Sequence, residues 1–225
     1  MISAIVVVNN RSKYLPDCIE SLRQAHTDIA ITLYNVGDNS AVGNICLGLK
    51  KAEHIDHLMM GDRWPTLYNS FCHGIDFVQS QAPDVILLTA DDYVYQPGWG
   101  ADVESFLIGN DAVSHCSCEV EPLFPWNAPF EIIEHGGVRG LSRATLPGAN
   151  WAFTADACRD IMRPAIKVYE DDPQMDHIVN KHIISNLKLK LCALHLAEHV
   201  GAYDSEVGNR AFQVDAKPLP KKWQI

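Results

Sequence analysis

Asp91 and Asp92 stand side by side directly after an apolar run, Val85 to Thr89. Two adjacent carboxylates repel each other unless a positive charge offsets them. A divalent cation does this well, because Mg²⁺ and Mn²⁺ take oxygen ligands and bridge to substrate phosphates. The bland reading of an isolated Asp pair is an acidic turn that caps a helix. Two further polar clusters also follow apolar runs: Asn9-Asn10-Arg11 after Ile2 to Val8, and Asp38-Asn39-Ser40 after Ile29 to Val36. Glu170-Asp171-Asp172 is a third acidic group, and by itself it reads as a charged cap before a helix opening at Pro173. His195 and His199 come late in the chain; a lone histidine is more often structural than a ligand. His54 and His57 lie three apart with no carboxylate companion and read as surface residues.

The elements that would carry these residues alternate. Ile2 to Val8 is a continuous β-branched run, the mark of a strand buried on both faces. A helix follows over about Tyr14 to Ala25, with Ser12 as its N-cap and Leu15, Ile19 and Leu22 at helical spacing. The pattern repeats with a strand at Ile29 to Val36, a helix at Ala41 to Lys50 and a short strand at Ile55 to Met60. Leu67, Phe71, Ile75 and Val78 then mark an amphipathic helix before the strand at Val85. This alternation predicts an α/β/α sandwich around a mainly parallel central sheet, Rossmann-like in plan. In such sheets ligands bind outside the carboxyl ends of the strands, so the three polar clusters are expected to converge on one crevice.

Beyond Trp99 the rhythm breaks. Ala101 to Leu107 reads as a helix and Ala112 to Glu119 as a strand. Glu121 to Gly148 reads as a long loop, because Pro122, Pro125, Pro129 and Pro147 forbid long helices. Pro173 to Leu187 reads as a helix, Leu189 to Leu196 as a strand and Lys217 to Ile225 as a tail. The expected organisation is one domain over 1–225, with an alternating half to about residue 100, a second half over 101–215 and a tail at 216–225.

Length and composition set bounds. The 225 residues suffice for a sizeable core. No apolar run approaches the ~18 residues of a membrane span, and the opening Met1-Ile2-Ser3-Ala4-Ile5 lacks the basic segment of a signal peptide. The expectation is a cytoplasmic protein. A net charge of −10 argues against nonspecific nucleic-acid binding. Lys188 to Lys190 and Lys217 to Lys222 read as solvated surface. The seven cysteines form no C-x-x-C pair, and Cys116-Ser117-Cys118 is too close-set for zinc, so they read as reduced thiols, mostly in the core.

Taken in order, these segments resemble the GT-A-fold glycosyltransferases of the large family-2-like group, over most of the chain. Val6-Val7-Val8-Asn9-Asn10 followed by Tyr14 to Leu22 is similar to that family's opening strand and first helix. Asp38-Asn39-Ser40 resembles its D-x-S turn, and Asn69 with Gly74 the helix motif before its D-x-D motif. Leu88-Thr89-Ala90-Asp91-Asp92 running on to Pro97-Gly98-Trp99 resembles the D-x-D segment itself and is the most specific match.

The resemblance implies a metal-dependent transfer of a sugar from a nucleoside-diphosphate sugar to an acceptor hydroxyl, with inversion. Asp38 and the Asn9 region would contact the base, with Asn69 also on the donor side. Asp91 would contact ribose or metal, and Asp92 would be the main carboxylate on Mn²⁺ or Mg²⁺. The sequence has Ala90-Asp91-Asp92 where the family has D-x-D, so the division between the two carboxylates stays open. Pro147-Gly148-Ala149-Asn150-Trp151 looks like the acceptor-side segment, with Trp151 either stacked on a sugar or in the core. Asp171 or Asp172 would be the base that takes the acceptor proton. His199, in His199-Val200-Gly201, fits the family's late metal-binding histidine better than His195.

Three other readings remain. A nucleotidyltransferase would share the sheet and acidic site, but Asn9-Asn10-Arg11-Ser12 is not a Gly-rich phosphate loop. A glucosyltransferase acting on hydroxymethylated bases of viral DNA would differ only in its acceptor, carbohydrate being the alternative. A non-catalytic sugar-nucleotide-binding protein would bind donor without releasing nucleoside diphosphate. Oligomeric state is not indicated.

Overall fold

A computed structural model describes residues 1–8, 13–25, 28–37, 39–60, 67–109, 112–115, 132–143, 150–169, 191–194 and 196–200. The first half follows the alternation read from the sequence. The strands β1 (Ile2–Val8), β2 (Ile29–Asn35), β3 (His57–Met60) and β4 (Val85–Ala90) are separated by the helices α1 (Leu15–Ala25), α2 (Ser40–Lys51) and α3 (Leu67–Gln79). The chain continues through β5 (Tyr93–Tyr95), α4 (Trp99–Leu107), β6 (Ala112–His115), β7 (Ile132–His135), β8 (Val138–Arg143) and β9 (Asn150–Thr154). It then passes through α5 (Ala155–Ala157), a π-helical turn (Cys158–Met162) and α6 (Arg163–Tyr169), and ends in β10 (Leu191–Leu194) and β11 (Ala197–His199).

Among the described residues nine strands form one sheet in the order β3-β2-β1-β4-β9-β6-β10-β8-β7, and β11 pairs with β5 in a second sheet. The β3-β2-β1-β4 block is parallel throughout. β9 opposes both β4 and β6, and β8 opposes both β10 and β7. The other seven of the nine strands therefore share one direction, and the sheet is mainly parallel.

β1 is buried along its whole length. Its period-2 alternation sends Ile2, Ala4, Val6 and Val8 to one face of the sheet and Ile5 and Val7 to the other. The first face is covered by Leu15, Cys18, Ile19 and Leu22 of α1, Val42 and Cys46 of α2, and Trp99, Val103 and Phe106 of α4. The second is covered by Phe71, Ile75 and Val78 of α3 and by Cys158, Met162 and Ile166. Two apolar layers on either side of one sheet give the expected α/β/α sandwich. α3 seats closely because Gly74 has no side chain: a Cβ there would lie 2.7 Å from Ile5 Cγ2.

The structure departs from the sequence reading at several places. The span taken as one loop, Glu121 to Gly148, contains the β7–β8 hairpin, turned by Gly136 and Gly137 at positive φ. β5 and the helical stretch 155–169 were not anticipated. His57 is half-buried rather than a surface residue: it meets Phe77 edge-on at 5.0 Å and lies 3.3 Å from Gln81 Nε2. Cys18, Cys46, Cys72 and Cys158 are buried free thiols, as expected. Burial pushes the Cys18 and Cys158 thiols well above their usual range. Among the described residues no helix is long and apolar enough to cross a membrane.

Candidate active site

The parallel block brings its strand ends level. Val7 pairs with Ala90 and Val8 with Asn35, so β1, β2 and β4 finish at one edge. The strands that precede the three polar clusters therefore end together. Asn9 and Asp38 themselves lie outside the described residues, as do His195 and both base candidates, Asp171 and Asp172. The turn next to Asp38 is fixed on both sides: Gly37 N donates to Asn35 Oδ1 at 3.2 Å, and Asn39 Oδ1 caps α2 by accepting from Ala41 N at 2.9 Å. Asn69 is half-buried in the first turn of α3.

Asp91 and Asp92 form the bend between β4 and β5, and each is only 4% exposed. They do not cap a helix, so the acidic-cap reading does not apply. Four elements hold this bend. From β1, the Val7 carbonyl accepts from Asp91 N at 3.2 Å. From α1, Ser21 Oγ accepts from Tyr95 N at 3.0 Å and donates to the Cys18 carbonyl at 2.8 Å. From β9, Asn150 Oδ1 meets the Tyr95 hydroxyl at 2.7 Å. From β11, His199 comes to Asp92.

The last contact brings one late histidine, His199, to the acidic pair. Antiparallel pairing of β11 with β5 sets His199 opposite Tyr93. The imidazole stacks on the Tyr93 ring at 4.5 Å with 10° between the planes. Its Nε2 then lies 3.2 Å from Asp92 Oδ2. The Asp92 side chain is nearly closed off from solvent, whereas 36% of the His199 side chain is open.

Pro97-Gly98 forms the turn that follows β5. Trp99 N donates to the Gln96 carbonyl at 3.2 Å, and Gly98 has φ 84° and ψ 0°, the geometry of a type II turn with Pro and Gly at its two central positions. The turn sends Trp99 into the core, against Tyr95 at 4.8 Å. Trp151 is 1% exposed and packs on Phe71 at 6.1 Å, so it is a core residue and not a platform for a sugar.

The donor set suits a divalent cation. Carboxylate oxygens with one imidazole nitrogen match Mn²⁺, and the carboxylates alone match Mg²⁺. Among the described residues no group of three or more His, Cys, Asp or Glu side chains is placed to hold a metal ion, Asp91, Asp92 and His199 included. A site that leaves positions for phosphate oxygens and water needs none.

No family model and no curated protein matches the chain. Solved structures do. GalNAc-T7 with UDP, GalNAc and Mn²⁺ matches with a TM-score of 0.65 at 9% identity, over 88% of this chain and 43% of that one. S. aureus TarS 1–349 matches at 0.61 and 11%, over 90% and 61%. The mannosyltransferase PcManGT from Pyrobaculum calidifontis, in complex with GDP-Man and Mn²⁺, matches at 0.53 and 10%, over 85% and 56%. The chain thus spans less than two thirds of each of these structures. At such identity the likeness establishes the fold: the chain has the GT-A fold.

Proposed function

We propose that this chain is a glycosyltransferase that moves a sugar from a nucleoside-diphosphate sugar to an acceptor hydroxyl, with a divalent metal at Asp91-Asp92. The observation that carries the reading is the buried acidic bend at the carboxyl end of β4, met by His199 Nε2 at 3.2 Å from Asp92 Oδ2. The GT-A fold supports it, as do the ligands of similar structures: UDP-GlcNAc in TarS, and GDP-Man with Mn²⁺ in the mannosyltransferase.

In this reading Asp92 and His199 hold the cation, and Asp91 contacts it or the donor ribose. The cation, when bound, offsets negative charge that develops on the departing nucleoside diphosphate. Asp38 and Asn9 contact the base, beside Asn69. Asp171 or Asp172 takes the proton of the acceptor hydroxyl, which attacks C1 from the face opposite the leaving group and inverts that centre. Pro147-Gly148-Ala149 lies on the acceptor side. The acidic chain favours a carbohydrate acceptor over a nucleic acid.

The test is release of nucleoside diphosphate from a panel of sugar nucleotides with Mn²⁺, Mg²⁺ or EDTA. The reading requires metal-dependent release that Asp92→Ala abolishes. Full turnover in that variant after metal removal would exclude it.

A further inference from the structure

The strand β5 is gripped along both edges. On one side it pairs with β11, and Gln96 N, just beyond the strand, donates to the Leu196 carbonyl at 2.9 Å. Amides alternate along a strand, so those of Tyr93 and Tyr95 point to the opposite edge, toward α1. There the Tyr95 amide donates to Ser21 Oγ at 3.0 Å. The Tyr93 amide donates to the Cys18 sulfur, and burial keeps that thiol protonated. Cys18 Sγ also lies 3.7 Å from the Ala90 carbonyl, so one side chain touches both residues that flank Asp91-Asp92.

Spacing explains how a helix can serve a strand edge. Side chains three apart on a helix lie about 5–6 Å from each other, and amides two apart on a strand lie about 7 Å apart. Cys18 and Ser21 are such a helical pair, and both are buried. The Ser21 hydroxyl donates to the Cys18 carbonyl at 2.8 Å, which turns its lone pairs toward the Tyr95 amide.

What β5 carries gives this grip its meaning. Tyr93 directly follows Asp92, and its ring holds the His199 imidazole at 4.5 Å with 10° between the planes. A displacement of the Tyr93 backbone therefore moves His199 relative to Asp92 Oδ2, now 3.2 Å from its Nε2.

We propose that Ser21 and Cys18 are positioning residues: together they act as a second strand for β5, and through the Tyr93 ring they set the approach of His199 to Asp92. That this serves a donor site rests on the glycosyltransferase reading. The placement of His199 does not.

The test uses two variants of nearly equal shape. Ser21→Thr keeps a hydroxyl that can bond the same helix carbonyl, and Ser21→Val does not. The first readout is the nuclear Overhauser cross-peak between the Tyr93 and His199 rings in the metal-free full chain. It should weaken several-fold in Ser21→Val and persist in Ser21→Thr. Cys18→Ala should weaken it as well, which keeps the test open should Ser21→Val fold poorly. A loss of global stability alone leaves this native-state distance unchanged. A full cross-peak in Ser21→Val and Cys18→Ala, or equal loss in the Thr and Val variants, would overturn the proposal. The second readout is calorimetry with UDP and Mn²⁺. Affinity should fall at least about tenfold in Ser21→Val, as for other partners that orient a metal ligand, and stay close to wild type in Ser21→Thr. Unchanged affinity in a Val variant that has lost the cross-peak would overturn the role in the site. Failure of the wild type to bind UDP and Mn²⁺ would count against the donor reading and leave the cross-peak to decide the placement.

Discussion

His199 Nε2 lies 3.2 Å from Asp92 Oδ2, although 107 residues separate the two in sequence. The contact exists because β11 pairs with β5 and the imidazole stacks on Tyr93, which fixes the ring plane. In the proposed site this places a nitrogen donor beside the principal carboxylate. His199→Ala should lower Mn²⁺ affinity by at least about tenfold, while a loss of Mg²⁺ affinity should be smaller because Mg²⁺ prefers oxygen ligands. Calorimetric titration of each metal in the presence of UDP or GDP checks this. Equal losses for the two metals would argue that His199 only orients Asp92.

The close seat of α3 predicts a second outcome. Gly74→Val places methyl groups where a Cβ alone would already sit 2.7 Å from Ile5 Cγ2, and Ile5 is fully buried. Overpacking of this kind costs about 1–3 kcal/mol. The denaturant midpoint should fall with little change in slope.

The Pro97-Gly98 turn predicts a third. Gly98 sits at φ 84° with open space around its Cα, so only backbone strain opposes a side chain there. Gly98→Ala should destabilise by about 1–2 kcal/mol, the cost of holding an L-residue in the left-handed region. The same measurement reads it, and Gly48→Ala, inside α2 with open space, should be neutral or stabilising by comparison.

Alkaline pH supplies a fourth. Burial, with a smaller contribution from the Asp91 charge, pushes the Cys46 thiol up from 9.0 to about 11. Between these values the unfolded chain gives up its thiol proton while the folded chain keeps it, so rising pH favours unfolding. The loss should begin near pH 9 and be complete above about 11. Chemical denaturation at pH 8 and pH 10.5 should show a steeper decline for wild type than for Cys46→Ala; parallel declines would contradict the assignment.

Much of the frame was legible from residue patterns. The β-branched run at Ile2 to Val8 is β1 to the residue, and Leu67, Phe71, Ile75 and Val78 mark α3. Both signals are strong because each element buries a full face against the sheet. β5 escaped notice because three residues, Tyr93 to Tyr95, give no periodicity to count. The hairpin was masked by neighbouring prolines, although Gly136-Gly137 between Ile132-Ile133 and Val138 is a turn signal. The Asp92–His199 approach was accessible only through the family's late histidine. The Tyr95–Asn150 bond had no local signal, because it joins residues 55 apart through a sheet register that one-dimensional patterns do not contain.

The central claim is that Asp91-Asp92 holds a nucleoside diphosphate through a divalent cation. Thermal denaturation with UDP and GDP, each with Mn²⁺ or with EDTA, tests it most directly, on wild type and on Asp92→Asn. At a hundredfold excess over its dissociation constant, the nucleotide that fits should raise the midpoint by about 5–10 °C. That shift should appear only with Mn²⁺ and vanish in Asp92→Asn. A shift of the same size in EDTA, a full shift in the variant, or no shift with any nucleoside diphosphate and metal would contradict the account.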